Sequence, residues 1–517
     1  MSDDLAMAPS PTDPPQATGT PPGQLGGADD PVHVLDSPEV GGKVIRGGII
    51  RTGGYVLGVA LSVGSSALML RHLGVVDAGR LVTVLALIAI VGGVADLGLT
   101  GIGIREYTVR KGDARDRFMR NLIGMRIVFT LIGIAGAVVF GAVAGYTDAM
   151  VAGTFLAGLG FVLFMVQQSL AVPLSATIQL GWVTFLTLIT QVGMAIGAAL
   201  LVLADASLVW FFALQIPVMV PVIALNAHKV KGMMPRLPAF DRDAWRDTMK
   251  DILPYSAAVI FTVVYFRIVA VLVSLLSTGK ETGYFGISFR VLDGLALIPP
   301  LLMSAVFPVL ARSGRDDSGR FGYALRQTFS AMFILGVWMA MCIALGAQLA
   351  IDVVGGPRFQ PAVDVLQLQA PAIVGTFLVA TWGYGLLSLS RYRAILLCNA
   401  LALTMAVVMS VVLIPPFGAE GAAVALTAAE LSLGLSYGFA LMRGRADLRG
   451  SFYVVPGALL AAAVASVPLA LVGVPSLPAL VAASAIYFFV LIVLRAVPGE
   501  VMDVLRIPRR VPRPRSP

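Results

Sequence analysis

Residues 251–307 read DILPYSAAVIFTVVYFRIVAVLVSLLSTGKETGYFGISFRVLDGLALIPPLLMSAVF, and this stretch decides the fold. Two apolar runs, 251–277 and 284–307, flank a short polar turn at Lys280. Each run is long enough to cross a hydrocarbon core of ~30 Å as a helix, and the short turn makes the two helices antiparallel neighbours. Beyond Asp251 at the very start, three charges lie inside them: Arg267, Arg290 and Asp293. Arg267 stands thirteen residues before Lys280 and Asp293 thirteen after it, so at 1.5 Å per residue both fall roughly 20 Å from the turn, placed to pair. Arg290 and Asp293 are three apart and share a helix face. A charge at mid-bilayer costs roughly 2.5–3.5 kcal/mol, so this cluster must face protein or water. Two readings stand: an ion-pair network that locks the hairpin, or a cationic site for phosphate in which Asp293 holds the arginines in place.

The rest of the chain has the same character. Of 517 residues, 57% are hydrophobic and 13% charged, with a mean hydropathy of +0.87, whereas a soluble domain is ~25% charged. A soluble globule is excluded. Fourteen spans can be read: 47–70, 81–104, 121–144, 149–172, 183–204, 207–227, 251–277, 284–307, 326–350, 363–388, 392–414, 418–442, 452–473 and 476–496. Net charge is +8, and since residues 1–42 hold acids but no Lys or Arg, the excess lies downstream. It gathers in 105–120, 228–250, 310–326, 391–393, 443–449 and the C-terminal tail, while the opposite side has Arg71, Arg80, Lys280 and Arg358. An even number of spans and this asymmetry predict both termini in the cytoplasm of a multi-pass plasma (inner) membrane protein. The positive charge is thus first a topology signal and then a hint of anionic lipid or cargo, with no nucleic-acid partner.

The predicted fold class is an all-α polytopic membrane protein of about 14 transmembrane helices, with two six-helix lobes related by an internal repeat plus a C-terminal helix pair. Residues 1–42 form a disordered cytoplasmic tail, 43–227 the first lobe, 228–250 a cytoplasmic linker, 251–443 the second lobe, 444–497 the extra pair and 498–517 a basic cytoplasmic tail. Aligning Gly79 with Gly283, at an offset of about 204, lays span one over seven and two over eight. Cys342 and Cys398 sit in apolar runs and His33, His72 and His228 are scattered, so neither a disulfide framework nor a metal or cofactor site is expected. Short external loops leave no room for the acidic or His-bearing loops that a membrane-embedded glycan enzyme needs.

Other intramembrane charges carry paired readings. Asp96 is either a packing acid or a cargo or coupling contact. Glu430, a lone carboxylate in span twelve, is either a proton-coupling site or a hydrogen-bond partner of a neighbouring span. Arg51 either snorkels to the cytoplasmic surface or points into a cavity, and Arg126 is expected to snorkel. Pro299-Pro300, below the charged cluster, is the expected hinge.

Four segments resemble the bacterial polysaccharide flippases of the multidrug/oligosaccharidyl-lipid/polysaccharide exporter superfamily. They are Arg71-His72-Leu73-Gly74 through Asp77-Ala78-Gly79 to Ala95-Asp96-Leu97-Gly98-Leu99; Leu253-Pro254-Tyr255 through Arg267 to Gly283-Tyr284-Phe285; Pro361-Ala362-Val363-Asp364; and Leu413-Ile414-Pro415 with Phe417-Gly418-Ala419. The resemblance implies lobes that rock around a central cavity to carry a polyprenyl-diphosphate-linked oligosaccharide between leaflets for cell-surface polysaccharide synthesis. It implies diphosphate-binding arginines at Arg290 and Arg51, membrane lipid around the chain, and glycosyltransferases and a polymerase as pathway partners. Rival expectations are a peptidoglycan lipid-precursor flippase, a cation-coupled multidrug exporter and, from another class, a membrane-bound glycan-assembly enzyme or scaffold.

Overall fold

The computed structural model describes residues 38–235, 237–316, 318–443, 452, 454–472 and 475–494. By contact the chain separates into Met1–Gly53 and Gly54–Pro517. The expected tails over 1–37 and 498–517, and the side chain of Arg51, lie outside the described residues.

Apolar runs this long bury their backbone polar groups best as helices, and every regular element described is helical. In order they are α1 (Pro38–Asp96), α2 (Leu99–Val109), α3 (Gly112–Val143), α4 (Asp148–Leu170), α5 (Val172–Ala176), α6 (Leu180–Leu203), α7 (Leu208–Ala213) and α8 (Gln215–Lys229). Then follow α9 (Arg242–Leu276), α10 (Gly279–Leu295), α11 (Ile298–Asp316), α12 (Ser318–Val354), a 3-10 turn (Pro357–Phe359), α13 (Ala362–Ser388), α14 (Tyr392–Met442), α15 (Val454–Val472) and α16 (Ser476–Val493). Among the described residues ten helices are long and apolar enough to cross a membrane, with shorter apolar helices at Ile260–Leu276 and Val454–Leu469. Large apolar side chains stand outside, such as Leu203 at 84% and Val143 at 83% exposed, a surface suited to lipid. This is an all-α, multi-pass membrane protein.

Each expected span coincides with helix, but the joints differ from expectation. Spans one and two are not parted by a loop: α1 is two helices joined across Gly74, whose φ of 73° a side chain would strain. Spans eleven and twelve meet in the same way at Gly418, φ 55°, where Glu281 accepts the backbone N–H of Ala419 at 2.8 Å and so caps the second helix of α14. Span two breaks at Leu97 and Gly98, both at positive φ. Span eight breaks at Ala296–Leu297, between α10 and α11, so Pro299-Pro300 occupy the first turn of a new helix instead of kinking an old one. Residues 38–42 are already helical, and so is the expected loop 310–326 apart from Asp317, which is outside the described residues.

The stretch 228–250 is likewise more ordered than a linker. Asp241 caps α9 by accepting from Asp243 and Ala244, and Asn121 of α3 accepts from the Asp241 backbone and from the Trp245 indole, both at 3.0 Å. Helix α9 then serves both halves of the sequence. It packs along α14, and it meets the second helix of α1 where Gly93 lies against Val263 and Ser256 donates to Leu97 O at 2.6 Å. In the C-terminal half α13 packs between α12 and α14, and α15 and α16 pair with each other against α12.

At the opposite end of the bundle, around Lys280, the halves close on one another. A Cβ on Gly79 would lie 2.7 Å from Gly283 N and 3.0 Å from Gly279 O, while a Cβ on Gly283 would strike Val75 O. With Val75 matched to Gly279 and Gly79 to Gly283, the Val75–Gly283 contact is the counterpart of Gly279–Gly79. This is the reciprocity a two-fold axis imposes. Arg71 adds two hydrogen bonds across the halves, to the carbonyls of Asp352 (2.6 Å) and Val353 (2.7 Å) at the C-terminus of α12, and Tyr146 bonds Ser274 at 2.7 Å. Burial pushes the Tyr146 phenol up, so it is the donor in this pair while Ser274 donates to Val271 O.

Candidate functional site

The α9–α10 hairpin sets Arg267 and Asp293 at one depth, and they pair through both guanidinium Nη atoms, at 3.1 and 3.0 Å. The rings of Phe266 and Phe289 lie 5.3 and 5.4 Å from the Arg267 guanidinium, so its plane is held by aromatic faces as well as by the carboxylate. Both partners remain 25% exposed.

Arg290 departs from the expectation that Asp293 orders both arginines. With both carboxylate oxygens taken by Arg267, Arg290 turns to the other half of the sequence and donates from Nε (3.2 Å) and Nη2 (2.9 Å) to the hydroxyl of Ser66. Arg290 itself remains exposed. One turn on, on the same face, an added Cβ at Gly294 would meet nothing within 4 Å. Ser66 was missed from sequence; the available signal was the pair Ser65-Ser66 within the apolar run of span one.

A second ion pair sits in the N-terminal half. Arg126 does not snorkel: it is fully buried, and its Nη2 bonds both Asp96 and Thr100 while Nη1 reaches Ser169 at 3.2 Å. A carboxylate beside the Leu97–Gly98 break and two hydroxyls hold the charge inside, where a lone arginine would have stretched to the interface. Asp96 is thus engaged, with Thr100 donating to the same oxygen at 2.8 Å.

Glu430 lies apart from both pairs. It is 1% exposed, accepts from the Tyr265 hydroxyl at 3.1 Å and from Thr376 at 3.3 Å, and forms no ion pair among the described residues. Gly375 approaches it so closely that an added Cβ would lie 2.7 Å from the Glu430 backbone. A second polar chain lies nearby, in which Tyr437 donates to Asn399 (3.0 Å) and Asn399 to Thr262 (2.9 Å). Arg267 therefore pairs with Asp293 and Arg290 joins Ser66 across the halves, whereas Asp96 and Glu430 belong to separate polar clusters.

No family model and no curated protein matches the sequence. Solved structures do match in fold. A lipid II flippase, MurJ, in an inward closed conformation superposes with a TM-score of 0.70 at 11% identity, covering 89% of this chain and 100% of that one. An inward-facing multidrug resistance MATE family transporter of the MOP superfamily gives 0.58 at 12% identity, covering 78% and 98%. A MOP superfamily transporter from Pyrococcus furiosus gives 0.52 at 13% identity, covering 78% and 94%. The chain is a polytopic membrane protein with the fold of these flippases and exporters, and the likeness in fold extends over most of its length.

Proposed function

We propose that this chain is a transporter that flips a polyprenyl-diphosphate-linked oligosaccharide from the cytoplasmic to the outer leaflet by alternating access. Two lobes, 43–227 and 251–443, rock about a central cavity, with both termini in the cytoplasm of the plasma membrane. The observation that carries the reading is Arg290: an exposed arginine that reaches Ser66 of the other half, beside an arginine already neutralised by Asp293. A diphosphate crossing the protein needs cations to replace its water, and a guanidinium edge matches two phosphate oxygens. The prenyl chain stays in lipid, so the protein carries only the headgroup. Asp96 and Asp293 are both bonded to arginines, which leaves such a cavity poorly suited to organic cations and disfavours drug export. Glu430, buried without a cation, is the proposed coupling site; Asp96 is not, because Arg126 holds it. Glycosyltransferases and a polymerase fit as the suppliers and users of such a cargo.

A second reading, a carrier of peptidoglycan lipid precursor, draws support from the full-length fit to the MurJ structure together with the α15–α16 pair packed on α12. Both readings share the diphosphate site and are separated by cargo. In reconstituted vesicles, transfer of a fluorescent polyprenyl-diphosphate sugar between leaflets should fall at least ~10-fold in Arg267→Ala/Arg290→Ala, the worth of one charge-assisted contact. Unchanged transfer overturns the site. Selective transfer of a muropeptide-bearing lipid decides for the second reading.

A further inference from the structure

The two N–H groups that Arg290 gives to Ser66 are its Nε and Nη2, at 3.2 and 2.9 Å, and both converge on one hydroxyl oxygen. This is one whole edge of the guanidinium, the edge that also grips two oxygens of a phosphate side by side. Ser66 belongs to the N-terminal half and is 7% exposed, while Arg290 belongs to the hairpin of the C-terminal half and is exposed. The same edge cannot serve both partners. Arg290 has a second two-donor edge, Nη1 with Nη2, but a phosphate carries charge and two acceptors where the hydroxyl offers one neutral oxygen, so an anion seated on the Nε edge displaces Ser66 and the contact between halves is lost.

Arg267 cannot play this part. Both its Nη atoms are engaged by Asp293, and Phe266 and Phe289 lie against its guanidinium. It is a fixed charge beside a movable one. We infer that Ser66 is a positioning residue that latches Arg290 across the halves in the empty transporter, and that the anionic headgroup unlatches them by displacing it. This rests on the proposed diphosphate site and deepens it: cargo binding and freedom of the halves become one event, because both draw on one guanidinium edge. The empty protein keeps its halves tied near mid-membrane in addition to the Gly79–Gly283 seam, and idle rocking is suppressed.

The test uses the full chain in nanodiscs, with inorganic pyrophosphate as the soluble probe. Removing the competitor frees the edge, so Ser66→Ala should bind pyrophosphate roughly 10-fold tighter than wild type, the value of about one hydrogen bond. Ser66→Thr keeps the hydroxyl and should restore the weaker affinity. Spin labels at Asp113 of α3 and Arg312 of α11, both exposed and one on each half, report the distance between halves after Cys342 and Cys398 are replaced by alanine. Pyrophosphate should broaden that distance distribution in wild type, and Ser66→Ala should show the broad form without it. In leaflet transfer, Ser66→Ala should lower the half-saturating cargo concentration without raising the maximal rate.

The inference is overturned if Ser66→Ala binds pyrophosphate as wild type and keeps the narrow distribution while Arg290→Gln loses binding. It is equally overturned if Ser66→Thr behaves like Ser66→Ala, since packing and not the hydroxyl would then be at work. Pyrophosphate binding that survives Arg290→Gln removes the site itself, and the latch with it.

Discussion

Two arginine–aspartate pairs lie inside this bundle, and their surroundings differ more than their chemistry. In the N-terminal half Arg126 is fully buried beside Asp96, itself 30% exposed, and bonds the hydroxyls of Thr100 and Ser169, while its Nε has no partner among the described residues. In the C-terminal half Arg267 and Asp293 are each 25% exposed, and a second, exposed arginine stands beside them. Each aspartate comes just before a helix break, Leu97–Gly98 in one half and Ala296–Leu297 in the other. Like pairs anchored on the matched spans two and eight, though not at matched residues, have therefore been put to different uses: a buried arginine fixes a helix, whereas a partly exposed pair with surplus positive charge beside it can receive an anion. Broken helices flanking a central site are where transporters place ligand contacts.

The comparison breaks most readily at Asp96. Asp96→Asn leaves the buried Arg126 charge unpaired, and thermal unfolding in detergent should record a loss of ~3–5 kcal/mol; near-wild-type stability would mean that the shell is wetter than its burial implies. An intermediate effect is expected at the seam. Gly283→Val places a side chain against the Val75 carbonyl, and overpacking of this kind costs about 1–3 kcal/mol. Cross-linking between the halves at the Lys280 end should drop accordingly, and an unchanged yield would show that the seam is not closed in the membrane. The smallest change sharpens the contrast: Asp293→Asn should cost no more than ~1 kcal/mol, since water already reaches both partners. A loss as large as that of Asp96→Asn would erase the distinction between the two pairs.

What the sequence revealed follows from what a hydropathy pattern can carry. Span positions depend on runs of apolar residues, and these were legible throughout. The joints were not, because Gly74 and Gly418 act through backbone φ, which leaves no mark on hydropathy. The start of α9 was hidden for another reason: Arg242, Arg246 and Lys250 read as linker, and only Asn121, more than a hundred residues away, shows why the chain is already helical there. Arg267 and Asp293 could be paired beforehand because a hairpin turn fixes the relative depth of its two arms. No such constraint links Arg126 to Asp96 across spans three and two, so a buried arginine was read as a surface one. Arg290 and Ser66 lie 224 positions apart with no turn between them, and that contact is visible only in three dimensions.

The seam at Gly79 and Gly283 also bears on how this chain can change over generations. Each glycine faces main chain of the other repeat, Gly79 that of Gly279 and Gly283 and Gly283 that of Val75, and main chain does not shrink to make room. Enlarging either residue therefore spoils both, so the two positions share a single tolerance. Drift in one repeat is policed by the other, long after the remaining residues of the two repeats have diverged beyond recognition.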